Sequence, residues 1–88
     1  MIQNYPNPFN SITFIRYQIS LNDHVEIYIY NLAGQKVQTL VNEKQLPGTY
    51  STTWDGFDDN GLQSPSGIYF CRIKLSDFIG VKKLILMQ

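Results

Sequence analysis

Short runs of alternating apolar and polar residues cover much of this chain, and glycine, proline, asparagine and aspartate interrupt them. Successive side chains of a β-strand point to opposite faces, so this alternation predicts strands that bury one face. In the clearest run, Val25, Ile27 and Ile29 share one predicted face, and polar or tyrosine residues occupy the other. The chain is therefore predicted to be all-β.

Six strands follow from the pattern, with turn signals about every 8–12 residues. They are Thr13–Ile19, Val25–Tyr30, Lys36–Val41, Tyr50–Trp54, Ile68–Leu75 and Val81–Met87. The third run also spaces Val37, Leu40 and Val41 like a helix, but its shortness and its position after a hairpin turn favour a strand. The series is typical of an antiparallel immunoglobulin-like β-sandwich of six to seven strands, with Trp54 as a core anchor.

The first ten residues have a different character. Two prolines fix the backbone angle φ and remove two N–H donors, which predicts that residues 2–10 lie extended along a sheet edge with Tyr5 and Phe9 as apolar anchors. Met1 directly precedes this segment, and neither a basic nor an apolar leader follows it. We therefore expect one domain, residues 1–88, cut from a longer protein.

Composition excludes several classes of protein. At 88 residues and 43% hydrophobic, the chain allows one folded domain and is too apolar for intrinsic disorder. Its formal net charge is zero, which argues against a nucleic acid or an anionic membrane held by bulk electrostatics. One cysteine and one histidine exclude an internal disulfide framework and a Cys/His zinc site. The longest apolar run, Leu84–Met87, is far shorter than the ~20 residues of a transmembrane helix.

An acidic run after Trp54 is the one candidate for a cofactor. Asp55, Asp58, Asp59 and Asn60 offer clustered oxygen ligands between glycines, which suits calcium. The run lacks the spacing and the final glutamate of a helix-loop-helix calcium site. The same residues favour Asx turns, in which the side chains accept hydrogen bonds from nearby backbone. Asx turns are therefore the preferred interpretation, with calcium as the alternative.

No catalytic group is predicted. His24 lies near Asp23 and Glu26, but their separations do not build a nucleophile and base, so His24 is expected to be an exposed turn residue. Cys71 is predicted to be a small buried hydrophobe, although an outward thiol could link two chains. We expect the chain not to be an enzyme.

Two surface features remain. The abundant aromatic residues could form a glycan-stacking platform, although core packing explains most of them more simply. Lys82 and Lys83 could be recognised by a partner protein, or they could protect an edge strand from aggregation. A strand would point the two lysines to opposite faces.

Four sequence blocks occur in an order that resembles a known family. They are Asn4–Asn10, Ile29–Val37, Trp54–Gly61 followed by Ser66–Phe70, and Lys82–Leu84. Together they resemble the C-terminal sorting domain of the type IX secretion system, type A, which is similar to the immunoglobulin-like domain of flagellar hook-capping proteins. The resemblance covers nearly the whole chain.

The resemblance implies a non-catalytic tail on a larger cargo protein. The parent would cross the inner membrane, pass through the periplasm and be secreted or held at the cell surface. The outer-membrane secretion machinery would recognise the folded tail, and its sortase would remove the tail and couple the cargo to a lipopolysaccharide. Within the tail, Lys82, Lys83, Leu84 and Leu86 on the last strand are the predicted recognition residues.

Two other functions stay open from the sequence. The chain could be a structural module that self-associates in an extracellular assembly, as the hook-capping resemblance allows. It could also be a glycan-binding module appended to an enzyme.

Overall fold

The computed structural model describes the backbone of residues 2–5 and all of residues 12–87, in which every helix or strand is a β-strand. The strands are β1 (Ile2–Tyr5), β2 (Thr13–Ile19), β3 (Asp23–Asn31), β4 (Lys36–Gln45), β5 (Gly48–Trp54), β6 (Gly67–Leu75) and β7 (Phe78–Leu86). The predicted limits of β2 are confirmed. Phe9 and the side chain of Tyr5, the predicted anchors of the first segment, lie outside the described residues.

The strands form two antiparallel sheets, with the order β1-β2-β5 in one and β4-β3-β6-β7 in the other. Hairpins join β3 to β4 and β6 to β7, whereas β2 pairs with β5 and β3 pairs with β6 across longer connections. Strand β1 lies at the edge of the three-stranded sheet, as predicted for residues 2–10, of which residues 6–10 lie outside the described part of the chain. The predicted immunoglobulin-like β-sandwich is thus confirmed.

The core is the layer of side chains between the two sheets. Its buried apolar members are Ile15, Tyr17, Ile19, Val25, Ile27, Ile29, Trp54, Tyr69, Cys71, Ile73, Leu84 and Leu86. Each is an inward residue of the alternation, so the predicted faces of the strands are confirmed. Burial of one large apolar side chain contributes roughly 1.5–3 kcal/mol, and this layer is the main source of stability.

Trp54 and Cys71 behave as the sequence predicts. Trp54 is fully buried, packs edge to face on Tyr69 with ring centroids 5.0 Å apart, and donates its indole N–H to the carbonyl oxygen of Phe57 at 2.9 Å. Cys71 is also fully buried, and burial raises the pKa of its thiol to about 12. The thiol therefore stays protonated at neutral pH and cannot link two chains from the surface.

Strand β4 explains the helix-like spacing in its sequence. Its register with β3 shifts twice, so that Leu40 and Val37 are extra residues with no direct partner on β3. Such β-bulges change which side chains of a strand face inward. As a result Val37, Leu40 and Val41 all pack against the core from one strand.

The last strand begins earlier than the predicted Val81, because β7 starts at Phe78. Leu75 pairs with Phe78, so the turn is only Ser76 and Asp77, and Gly80 pairs with Ile73 inside β7. Gly80 serves packing here, because a Cβ atom built on it would lie 3.0 Å from the Phe78 ring and 3.2 Å from Ile73 Cγ2.

A carboxylate connects this turn to the start of the neighbouring strand β3. The Ser76 hydroxyl donates to Asp23 Oδ1 at 2.6 Å, and the Ser76 backbone N–H donates to Asp23 Oδ2 at 3.1 Å. The hydrogen bonds from Ser76 lower the pKa of the Asp23 carboxyl from its usual value of 3.8. Asp23 therefore holds the start of β3 against the β6–β7 turn.

We expect this contact to make the free energy of unfolding depend on pH in the acid range. Because the Asp23 pKa is lowered on folding, its contribution is present above the ordinary pKa and is lost as the pH falls through the folded value. Urea midpoints measured from about pH 5 to about pH 3 should fall less steeply for Asp23→Ala than for the wild type. Asp77→Ala, which removes an exposed carboxylate of the same turn, should keep the wild-type slope. Equal slopes for the wild type and Asp23→Ala would contradict the assignment.

Candidate functional site

The two lysines of β7 lie on opposite faces, as predicted. Lys82 pairs with the buried Cys71, so it lies on the inward face and is half-buried. Lys83 pairs with Phe70 and is exposed on the outward face. Among the described strands β7 is the last of its sheet, and because its two lysines lie on opposite faces they do not form one cationic patch.

Leu84 and Leu86, the other predicted recognition residues, are core residues. Their exposed fractions are 0% and 1%. A partner that docks on the folded domain cannot touch either side chain. Their contribution to any recognition would therefore be to hold β7 in the sheet.

Truncation of Leu84 should show this structural role. We expect Leu84→Ala to lower the free energy of unfolding by about 2–5 kcal/mol, because it leaves a cavity in a closed core. Val81→Ala, on the same strand with a side chain 58% exposed, should change it by no more than about 0.5 kcal/mol. Urea denaturation of the purified chain measures both, and similar losses for the two variants would contradict the burial of Leu84.

The acidic loop after β5 uses its carboxylates to order its own backbone. Asp55 Oδ1 accepts from the N–H of Phe57 at 3.0 Å, and Asp58 Oδ1 accepts from the N–H groups of Asn60 and Leu62, both at 2.9 Å. These are the Asx-type contacts that the sequence favours. Gly56 and Gly61 take φ of +80°, which only glycine adopts without strain, so the glycines complete the turns.

Asp59 instead fastens the loop to the neighbouring strand. Its Oδ1 accepts from the N–H of Thr39 at 3.1 Å, and its own N–H donates to the carbonyl oxygen of Val37 at 2.9 Å. Within residues 12–87, no three histidine, cysteine, aspartate or glutamate side chains are grouped so that they could hold a metal ion. Calcium binding by Asp55, Asp58, Asp59 and Asn60 stays a prediction.

Thermal melting separates the two interpretations of this loop. We expect Asp58→Ala to destabilise the chain by about 1 kcal/mol, because two backbone donors lose their acceptor, and Asp58→Asn to retain most of the stability because its amide oxygen still accepts. Millimolar calcium should leave the melting temperature of the wild type unchanged. A rise with calcium that Asp58→Asn abolishes would instead establish the calcium site.

Two of the sequence blocks meet at one end of the sandwich. The β3–β4 turn and the acidic loop line a shallow groove, and the exposed Leu32 and Leu62 are among its lining residues. In the turn, Gly34 has φ of +83° and donates its N–H to the carbonyl oxygen of Asn31 at 3.0 Å. The blocks are therefore turns that close this end of the fold.

The aromatic residues divide between core and surface. Tyr17, Trp54 and Tyr69 are buried, whereas Tyr28 and Tyr30 are half-buried on the outward side of β3. The rings of Tyr28 and Tyr30 cross at 80°, so together they do not form a flat platform for sugar rings. The alternation indicates which aromatic residues face outward, but the angle between the rings is a property of the folded sheet.

His24 is exposed as expected, although it lies in β3 and not in a turn. Its Nε2 atom is 2.6 Å from Asn42 Oδ1 and 3.9 Å from Glu26 Oε2. These neighbours are an amide and a carboxylate, neither of which is a nucleophile that the imidazole could activate. The contacts join β3 to β4 on the sheet surface.

Comparison with known proteins decides the family. The model of a family described as the secretion system C-terminal sorting domain matches residues 3–87. The chain belongs to this family. The match spans both sheets, so the sorting domain is the complete sandwich. No curated protein matches the chain.

Two solved structures share the fold of this sorting domain. One is a dimeric latent PorU from Porphyromonas gingivalis, which is 20% identical with a TM-score of 0.75 over 98% of this chain and 9% of that one. The other is PorZ, an essential bacterial surface component of the type-IX secretion system of the same species, 14% identical with a TM-score of 0.73 over 99% of this chain and 11% of that one. The sorting domain thus spans about a tenth of each structure it matches.

Family membership establishes the general role. The chain is a C-terminal sorting domain recognised by type IX secretion, and it belongs to a secreted or cell-surface protein with a cargo region preceding it. The family is non-catalytic in general. The part of the chain described here includes no helix of the length and apolarity needed to cross a membrane.

Proposed function

We propose that the secretion machinery recognises this sorting domain as a folded surface and that the domain performs no chemistry itself. The observation that carries the proposal is the extent of the family match, which coincides with the whole sandwich. Blocks that are far apart in sequence, such as the β3–β4 turn and the acidic loop, are adjacent only in the fold. A receptor that reads these blocks together therefore needs a folded tail.

The proposal includes the route and the fate of the cargo. The cargo passes through the periplasm with its tail folded, and a sortase of the machinery then removes the tail and couples the cargo to a lipopolysaccharide. The fold suits such a passenger, because a closed core and self-ordered loops keep the tail compact next to a larger protein. Removal at the surface would leave the cargo without the tail's mass of 10.2 kDa.

A reporter fusion tests this function. Residues 2–88 are fused behind a reporter that carries a periplasmic signal peptide, and the fusion is expressed in a bacterium with type IX secretion. We expect the reporter at the cell surface or in the medium, shortened by the tail if the sortase acts. Periplasmic retention of a reporter whose tail is folded would contradict sorting.

Two controls make the result specific. The same reporter without the tail, and the fusion in a host without the secretion machinery, should both stay in the periplasm. Export in either control would show that the tail is not the signal. If the reporter reaches the surface with its tail still attached, removal by the sortase is contradicted but the sorting function is not.

Self-association is a separate proposal, supported by the position of β7 as the last described strand of its sheet. Light scattering on the purified chain tests it. A particle of monomer mass at high protein concentration would contradict it.

A further inference from the structure

The positive charges of this neutral chain are gathered on one surface. The strand registers place five of the seven lysine and arginine residues on the outward face of the four-stranded sheet, namely Lys36, Lys44, Arg72, Lys74 and Lys83. Among the described strand residues, Glu26 is the carboxylate that lies on this same outward face, where it pairs with Lys74. We refer to this surface, the outward side of β4-β3-β6-β7, as the cationic face.

The opposite surface of the sandwich differs in charge. On the outward side of β2 and β5, Arg16 pairs with Ser51, and its neighbours on those strands are neutral. Three of the acidic residues lie in the loop after β5, which is fastened to the edge of β4, and they accept backbone hydrogen bonds there. The formal neutrality of the chain therefore hides a strong asymmetry between its two broad surfaces.

The middle rows of the cationic face combine aromatic residues with charged ones. One row across the sheet contains Tyr30, Phe70 and Lys83, and the next contains Tyr28, Arg72 and Val81. The ammonium group of Lys36 lies 4.9 Å from the centroid of the Tyr28 ring. Half-buried aromatic residues and arginine are both enriched in protein interfaces. Tyrosine and arginine are also the residues that most often dominate binding energy in such interfaces.

We infer that the cationic face docks on an acidic protein surface during export, an inference that rests on the sorting function proposed above. Complementary charge requires carboxylates on the partner, and the aromatic residues of the face require apolar side chains among them. A sugar polymer fits less well, because the rings of Tyr28 and Tyr30 cross at 80° and Lys36 lies over Tyr28. The partner is therefore a protein with an acidic patch that contains apolar residues.

The size of the face indicates a reversible contact. Four strands at about 4.8 Å spacing and nine residues at about 3.3 Å each give a face of roughly 600 Å². Stable interfaces bury about 800 Å² on each partner, so docking on this face alone is weak. Weak binding suits a signal that must be released, and the charges accelerate the encounter and make it sensitive to salt.

Charge reversal in the reporter fusion tests the inference. The variant Lys74→Glu with Lys83→Glu reverses two positions of the cationic face. The matched control is Arg16→Glu with Gln18→Glu and Ser51→Glu, which changes the net charge equally on the other sheet. We expect surface reporter to fall about tenfold for the first variant and to stay within about twofold of wild type for the control. Equal export of both variants would overturn the inference and leave the sorting function standing.

The fold of each variant is checked separately. Circular dichroism and urea denaturation of the purified chains show whether the sandwich persists. If the double glutamate variant does not fold, Lys74→Gln with Lys83→Gln decides the question, because it removes both charges without adding repulsion. If the Gln variant folds and is exported as well as the wild type, the inference is overturned. If the wild-type fusion is itself not exported, the sorting function is overturned.

Crosslinking in the living host identifies the partner class. A photoreactive residue is placed at Val81, which is exposed on the cationic face, and at Ser51 as the control. We expect Val81 alone to form an adduct with another protein, mapped to an acidic segment and absent when Lys74 and Lys83 are glutamate. The inference is overturned if the adduct contains lipopolysaccharide or a second copy of the fusion. It is also overturned if no adduct forms at Val81 while the fusion is still exported.

Discussion

The structure depends on one geometric constraint, which is the two-residue period of a β-strand. A core between two sheets can use only alternate residues of each strand, so every inward residue such as Ile27 or Ile73 has outward neighbours. The core is closed around Trp54 and Tyr69, with their polar atoms satisfied by nearby carbonyl oxygens. The outward residues do not fill the core, so their side chains can vary and can form a binding surface.

This division separates stability from recognition within single strands. On β7, Leu84 belongs to the core and Lys83 to the surface, although the two are adjacent in sequence. A deletion of the last strand would therefore remove both functions at once, whereas point substitutions can separate them. For a sorting domain the division is useful, because the fold can be preserved while outward residues are selected for the secretion machinery.

The loops at one end of the sandwich serve the fold in another way. Asp58 and Asp59 direct their carboxylates to backbone N–H groups, and these hydrogen bonds order the acidic run. Such turns give the family its recognisable blocks, since a turn requires particular residues at particular places. Their sequence signal is strong because the chemistry is local.

The sequence by itself determined the strands, their inward faces, the role of Trp54 and the Asx turns, because all of these depend on residues near one another in the chain. Tertiary structure decided the rest. The bulges that turn Val37 and Leu40 toward the core arise from the pairing of β4 with β3, and Gly80 lies within β7 because it pairs with Ile73 of β6. The cationic face combines residues from four strands, and the pairings that set their relative positions include long-range ones that local patterns do not encode.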